Sequence, residues 1–112
     1  MGASKNDNLQ GSLDLLVLRT LASHGEPLHG YAITEHIHRV SKDALTVQEG
    51  SLYPALHRMD EAGWIESEWG VSNNNRRARY YDITKAGRRR LAQLEKEWMN
   101  HINAVKRVLR LA

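Results

Sequence analysis

Between Ser12 and His24 the apolar residues Leu13, Leu16, Val17 and Leu21, with Leu18 beside them, return every three or four positions until Gly25 and Pro27 break the pattern. That spacing gathers them on one side of a helix. A shorter stretch repeats the signature: Ile33, Ile37 and Val40 fall at i, i+4 and i+7, while Glu35, His36 and Arg39 take the other faces. It predicts a second helix from about His29 to Ser41. A third stripe, Leu52, Leu56 and Met59, ends at Gly63, with Ser51 placed to cap it and Pro54 expected in the first turn, where a missing N–H does least harm. Three short amphipathic helices in succession predict a trihelical core.

After Gly63 the pattern changes. Trp64-Ile65-Glu66-Ser67-Glu68-Trp69 alternates loosely and carries aromatic and β-branched residues, as does Ala78-Arg79-Tyr80-Tyr81-Asp82-Ile83, so the two predict a pair of strands. The connection between them, Gly70 to Arg77, is rich in turn-forming residues and long for a hairpin, where about two to five residues is usual. From Thr84 to Ala112 there is no proline and one glycine, Gly87, and Thr84 is a good N-cap. A single helix of some 25 residues there would reach about 40 Å and outrun a small domain. Its apolar positions Leu91, Leu94, Trp98, Ile102, Val105 and Leu109 step by three or four, and a protruding helix cannot leave that stripe in water. The expected cover is a second copy of the chain, which makes these six the dimerisation residues. The expected organisation is therefore residues 1–83 as one compact domain and 84–112 as a dimerisation helix.

Charge sharpens the picture. The chain has 112 residues and a net charge of only +3. Residues 1–75 carry 5 basic and 10 acidic side chains, but residues 76–90 carry 7 basic and 1 acidic. Positive charge confined in this way makes a local patch for phosphates despite the modest total. The longest strictly apolar run, Leu15 to Leu18, falls far short of the roughly 20 residues of a membrane span. The first residues hold no export signal and there is no cysteine, so a cytoplasmic location is expected.

Helix, helix, helix, strand, basic loop, strand is the order of a winged helix-turn-helix, in which the third helix enters the DNA major groove and the hairpin flanks it. The expected class is α+β, mainly helical. This assignment puts Arg76, Arg77 and Arg79 on the wing and its second strand, where guanidinium groups can pair with phosphates or enter the minor groove. It gives Ser51, Tyr53, His57 and Arg58 to the reading face, because they lie off the Leu52-Leu56-Met59 stripe. Lys85, Arg88, Arg89 and Arg90 crowd the first turns of the last helix against its dipole, each at a cost of about a few tenths of a kcal/mol that an external anion would offset. Lys85 thus joins the expected DNA contacts.

The residues also resemble the PadR transcriptional regulators. The resemblance runs through Leu16-Val17-Leu18, Gly30-Tyr31, Gly50-Ser51-Leu52-Tyr53-Pro54-Ala55-Leu56 with Met59, Gly63-Trp64-Ile65, Arg79-Tyr80-Tyr81 and Thr84-Lys85-Ala86-Gly87-Arg88. It implies a dimeric DNA-binding regulator, usually a repressor, released from its operator by a small molecule in some members. The single helix after the wing is similar to the compact branch of that family, some of whose members bind aromatic compounds between subunits. Asn73-Asn74-Asn75 stands where the family commonly has a glycine-rich turn.

Blander readings compete at several positions. The arginines of residues 76–79 suit a solvated strand end as well as DNA, and Tyr53 suits half-buried packing as well as a phosphate. Tyr31, Tyr80 and Tyr81 read as framework. Trp98 either fills the dimer seam or offers a flat face to a planar aromatic ligand. His36 and His38 are two apart on a helix and the other histidines form no zinc spacing, so no metal is expected. No Gly-x-Ser-x-Gly, phosphate-binding Gly-x-x-x-x-Gly-Lys or His-Glu-x-x-His occurs, so neither an enzyme nor a cofactor is expected. The reading that follows is a homodimeric repressor on a pseudo-palindromic operator, with two reading helices about 34 Å apart. The alternative is a winged-helix adaptor that presents the same basic patch to an acidic protein.

Overall fold

The computed structural model describes the backbone of residues 2–111 and the side chains of residues 12–111. In chain order the elements are α1 (Gly2–His24), β1 (Leu28–His29), α2 (Gly30–Val40), α3 (Glu49–Glu61), β2 (Ile65–Val71), β3 (Arg77–Ile83) and α4 (Lys85–Leu109). The strands form one antiparallel sheet in the order β1-β3-β2. The expected winged arrangement is present: three helices, then a hairpin, then one long helix.

A single core joins every layer. Val17, Leu18 and Leu21 of α1 meet Ile33 and Ile37 of α2, Leu52, Leu56 and Met59 of α3, Ile65, Tyr81 and Ile83 of the sheet, and Leu91 and Leu94 of α4. Val40, expected on the buried stripe of α2, is exposed, because it is the last helical residue and lies past the edge of this core. Asp14 of α1 is buried, and Arg58 answers it from α3 with two hydrogen bonds, Nη1 to Oδ2 at 2.9 Å and Nη2 to Oδ1 at 2.7 Å. The pair ties α1 to α3 where an unpartnered carboxylate would be costly.

Helix ends follow local chemistry, with two departures from expectation. His29 caps α2 through its imidazole, Nδ1 accepting the Ala32 N–H at 3.1 Å, and Thr84 caps α4 by accepting the Gly87 N–H at 3.0 Å. α3 starts earlier than its apolar stripe suggests: Gln48 occupies the cap position without a side-chain bond, and Ser51 is the third helical residue instead of the cap. Pro54 therefore falls in the second turn. There it forgoes the hydrogen bond that its missing N–H would have made to the Gly50 carbonyl. α1 likewise begins at Gly2, ten residues before Ser12.

The join between sheet and α4 is tight. Thr84 donates its N–H to the Trp64 carbonyl at 3.0 Å and its hydroxyl to the Gly63 carbonyl at 2.6 Å. A Cβ on Gly87 would overlap the Trp64 carbonyl oxygen and stand 2.8 Å from Ile83 Cγ1, so only glycine lets α4 lie this close to β2. The packed unit does not stop at residue 83. Leu91 and Leu94 are only 4% and 6% exposed, and Arg19 of α1 donates Nε to Glu95 at 3.2 Å. Beyond Glu95 the described side chains of α4 are exposed except Ile102, which is half-buried, and the molecule extends 52 × 29 × 29 Å.

Candidate nucleic-acid interface

The wing is a seven-residue by seven-residue hairpin with a five-residue tip, Ser72 to Arg76, shorter than the eight-residue loop expected from composition. Gly70 and Arg77 are strand residues. Gly70 is in the strand because the Tyr80 ring crosses it: a Cβ there would stand 2.9 Å from that ring. Ser72 donates its N–H to the Arg76 carbonyl at 2.8 Å, and Asn75 donates to Ser72 O at 2.9 Å. Asn75 takes the left-handed conformation, φ 59°, that a glycine would otherwise supply, which asparagine tolerates better than most residues. The asparagine run is thus a defined turn.

On α3 the residues Ser51, Tyr53 and His57 are exposed opposite the buried Leu52-Leu56-Met59 stripe. Tyr53 is packed on one side and open on the other. Its ring lies over Gly30, where a Cβ would stand 2.6 Å from the hydroxyl oxygen, and its remaining surface is open. His57 Nε2 faces Glu61 Oε1 one turn on, at 3.4 Å. Arg58 is half-exposed and reaches across to α1. Its terminal nitrogens are engaged by Asp14, and that hydrogen bond, with the carboxylate charge, holds its pKa above the ordinary value against the opposing effect of burial.

The wing arginines 76, 77 and 79 are all exposed. They share one cleft of about 870 Å³ with Tyr53 of α3 and with Tyr31 and Arg39 of α2, so α3, α2 and the wing border the same space. Tyr31, expected as framework, is 68% exposed in this cleft, whereas Tyr81 is buried as expected. Tyr81 sits under the sheet among apolar neighbours, and burial raises its pKa in spite of the nearby Arg79. Lys85 lies apart from this cluster. It follows β3 at the end opposite the wing tip, and seven extended residues span about 23 Å, so it cannot serve the same phosphates as Arg76.

Reasoning from sequence missed Arg39, the exposed Tyr31 and Trp69. Arg39 and Tyr31 belong to a helix whose exposed face has no role legible in its pattern. The signal for Trp69 is the strand register, which pairs it with Arg79 and which alternation alone does not fix. Among the described residues no group of three or more His, Asp or Glu is placed to hold a metal ion, and no helix is long and apolar enough to cross a membrane.

A winged hairpin tipped with arginines, sharing a cleft with an exposed helix face, defines a DNA-binding regulator. The family model for PadR-like transcriptional regulators matches residues 17–93, and the chain belongs to that family, whose members are DNA-binding regulators and not enzymes. The chain is 27% identical to a transcriptional regulator from Clostridium thermocellum, with a TM-score of 0.79 over 90% of this chain and 93% of that one. It is 29% identical to a PadR family regulator from Eggerthella lenta, with a TM-score of 0.73 over 96% and 90%. An uncharacterized protein of Lysinibacillus sphaericus is 29% identical over 94 residues, 84% of each chain.

Proposed function

We propose that the protein is a homodimeric repressor that sets two α3 helices on a pseudo-palindromic operator and acts in the cytoplasm, where that DNA lies. The observation that carries the dimer is the outer half of α4. Trp98, Val105, Val108 and Leu109 are 41%, 42%, 82% and 61% exposed on a helix that has left its own core. Water is a poor cover for such a stripe, and an isologous pairing of two copies buries it on both. Leu91 and Leu94 are already buried within one protomer, so the seam is assigned to Trp98, Ile102, Val105 and Leu109, with Val108 and Leu111 beside them.

In this reading Arg76 and Arg77 hold phosphates, while Ser51, Tyr53 and His57 meet base edges or adjacent sugar and phosphate. Trp98, with the His101 ring 5.8 Å away, offers a planar face near the seam. A planar aromatic compound bound there would favour one spacing of the two reading helices over another and so release the operator. Sedimentation of the full chain with and without an operator duplex tests the reading. A dimer that binds one duplex with steep salt dependence supports it. A monomer, or binding to acidic proteins in preference to any duplex, refutes it.

A further inference from the structure

Trp69 is 54% exposed on β2. A lone exposed aromatic needs no explanation, but this one carries two cations. Arg79 is its cross-strand partner, and Arg77, opposite Val71, stands on the same face of the hairpin. The Cζ of Arg77 lies 4.3 Å from the centre of the indole and that of Arg79 5.4 Å. Two neighbouring guanidinium groups repel, and the negative face of an aromatic ring offsets that repulsion. A guanidinium stacked on its flat face keeps its N–H edge free, and that edge is the one that pairs with phosphate. Arg79 is fixed a second time: its Nε donates to Ser67 Oγ at 2.9 Å, and that hydroxyl donates to Asp60 Oδ2 at 2.8 Å. Asp60 belongs to α3, so continuous contacts run from the reading helix through Ser67 and Arg79 to Trp69 and Arg77.

We propose that Trp69 is a positioning residue for DNA binding: its indole holds the Arg77 and Arg79 guanidinium groups against it with their terminal nitrogens left for phosphate, in register with α3 through Asp60 and Ser67. An unstacked arginine loses rotamer freedom when a phosphate captures it, whereas a stacked one has already lost it on folding. The role rests on the DNA-binding reading, and the test separates the two.

Affinity for a random-sequence duplex at several salt concentrations is measured for the full wild-type chain, W69A, W69F, R77A/R79A and the triple variant W69A/R77A/R79A, each with its melting temperature. W69A is expected to weaken binding about tenfold and W69F less than about threefold, at an unchanged melting temperature. In the R77A/R79A background the same W69A change is expected to cost almost nothing, because there is nothing left to position. If W69A melts early, W69M keeps the apolar cover without the aromatic face and replaces it. Equal losses with and without the arginines would mean that the indole touches DNA itself and would overturn the positioning role, as would an unchanged affinity in W69A. A wild-type chain that binds no duplex overturns the DNA-binding reading as well.

Discussion

Gly87 and Arg58 show how single residues hold this fold. Gly87→Ala places a methyl group against the Trp64 carbonyl, which is backbone and cannot turn aside. A loss of about 3 kcal/mol in urea unfolding is expected, and a loss below about 0.5 kcal/mol would mean that the joint yields. Arg58→Ala leaves the Asp14 carboxylate buried and unpaired. The expected loss is about 2 kcal/mol, less than for a fully buried pair because Arg58 is itself half-exposed, and it arises because the buried carboxylate loses its partner. The salt dependence of DNA binding should stay as in wild type; a shallower slope would return Arg58 to the phosphates. His36 adds a pH dependence. Burial, with the charges of His24 and Arg39, lowers its pKa from the ordinary 6.5. Its neutral form is favoured in the folded chain, so stability is full above that value and falls as the pH drops below it, where the unfolded chain takes up the proton first. Thermal melts between about pH 7.5 and 5.5 should decline less steeply for His36→Gln than for wild type.

At the scale of elements the wing carries the clearest expectation. Replacing Arg76 and Arg77 together should reduce the slope of log K against log salt by about 1.8, two phosphates at about 0.9 each, with similar loss on every duplex sequence. An unchanged slope removes the wing tip from the interface. The two hairpin strands, all four helices and the stops at Thr84 and Gly63 are legible in the sequence because each has a local cause: a stripe, an alternation, a hydroxyl or a glycine at a fixed offset. What the sequence hides is set by distant contacts. β1 is two residues long, too short for any alternation, and exists because β3 offers it an edge. Arg58 reads as a free cation until Asp14, 44 residues away, is brought beside it. Gly70 reads as a loop glycine until the Tyr80 ring is seen to cross it. The exposed faces of α3 follow from its stripe, but the arrangement of Tyr31, Arg39 and Trp69 around one cleft needs the tertiary fold.

For the molecule as a whole, the two halves of α4 should respond to substitution in opposite ways. Val105→Glu, in the exposed half, should leave the protomer folded but monomeric in sedimentation, with its affinity for a two-site duplex reduced about a hundredfold or more and its affinity for a single half-site nearly unchanged. Leu94→Glu, in the packed half, should unfold the protomer itself, since it buries a charge in the core shared with α1. If Val105→Glu remains a dimer, the outer stripe is not the seam.

In the proposed dimer the closed joint at Thr84 and Gly87 would give the pair of molecules the mechanics of callipers whose jaws are fixed to their arms. With Gly87 packed against the Trp64 carbonyl at that corner, an effector of such a dimer would act at the pivot, where the arms cross. There the leverage is large: an arm of about 26 Å, from Lys85 to Ile102, turning by roughly 10° carries its jaw about 4.5 Å, more than one base-pair step of about 3.4 Å. A small molecule wedged at the pivot therefore needs to shift only a few side chains to put both jaws out of phase with the groove.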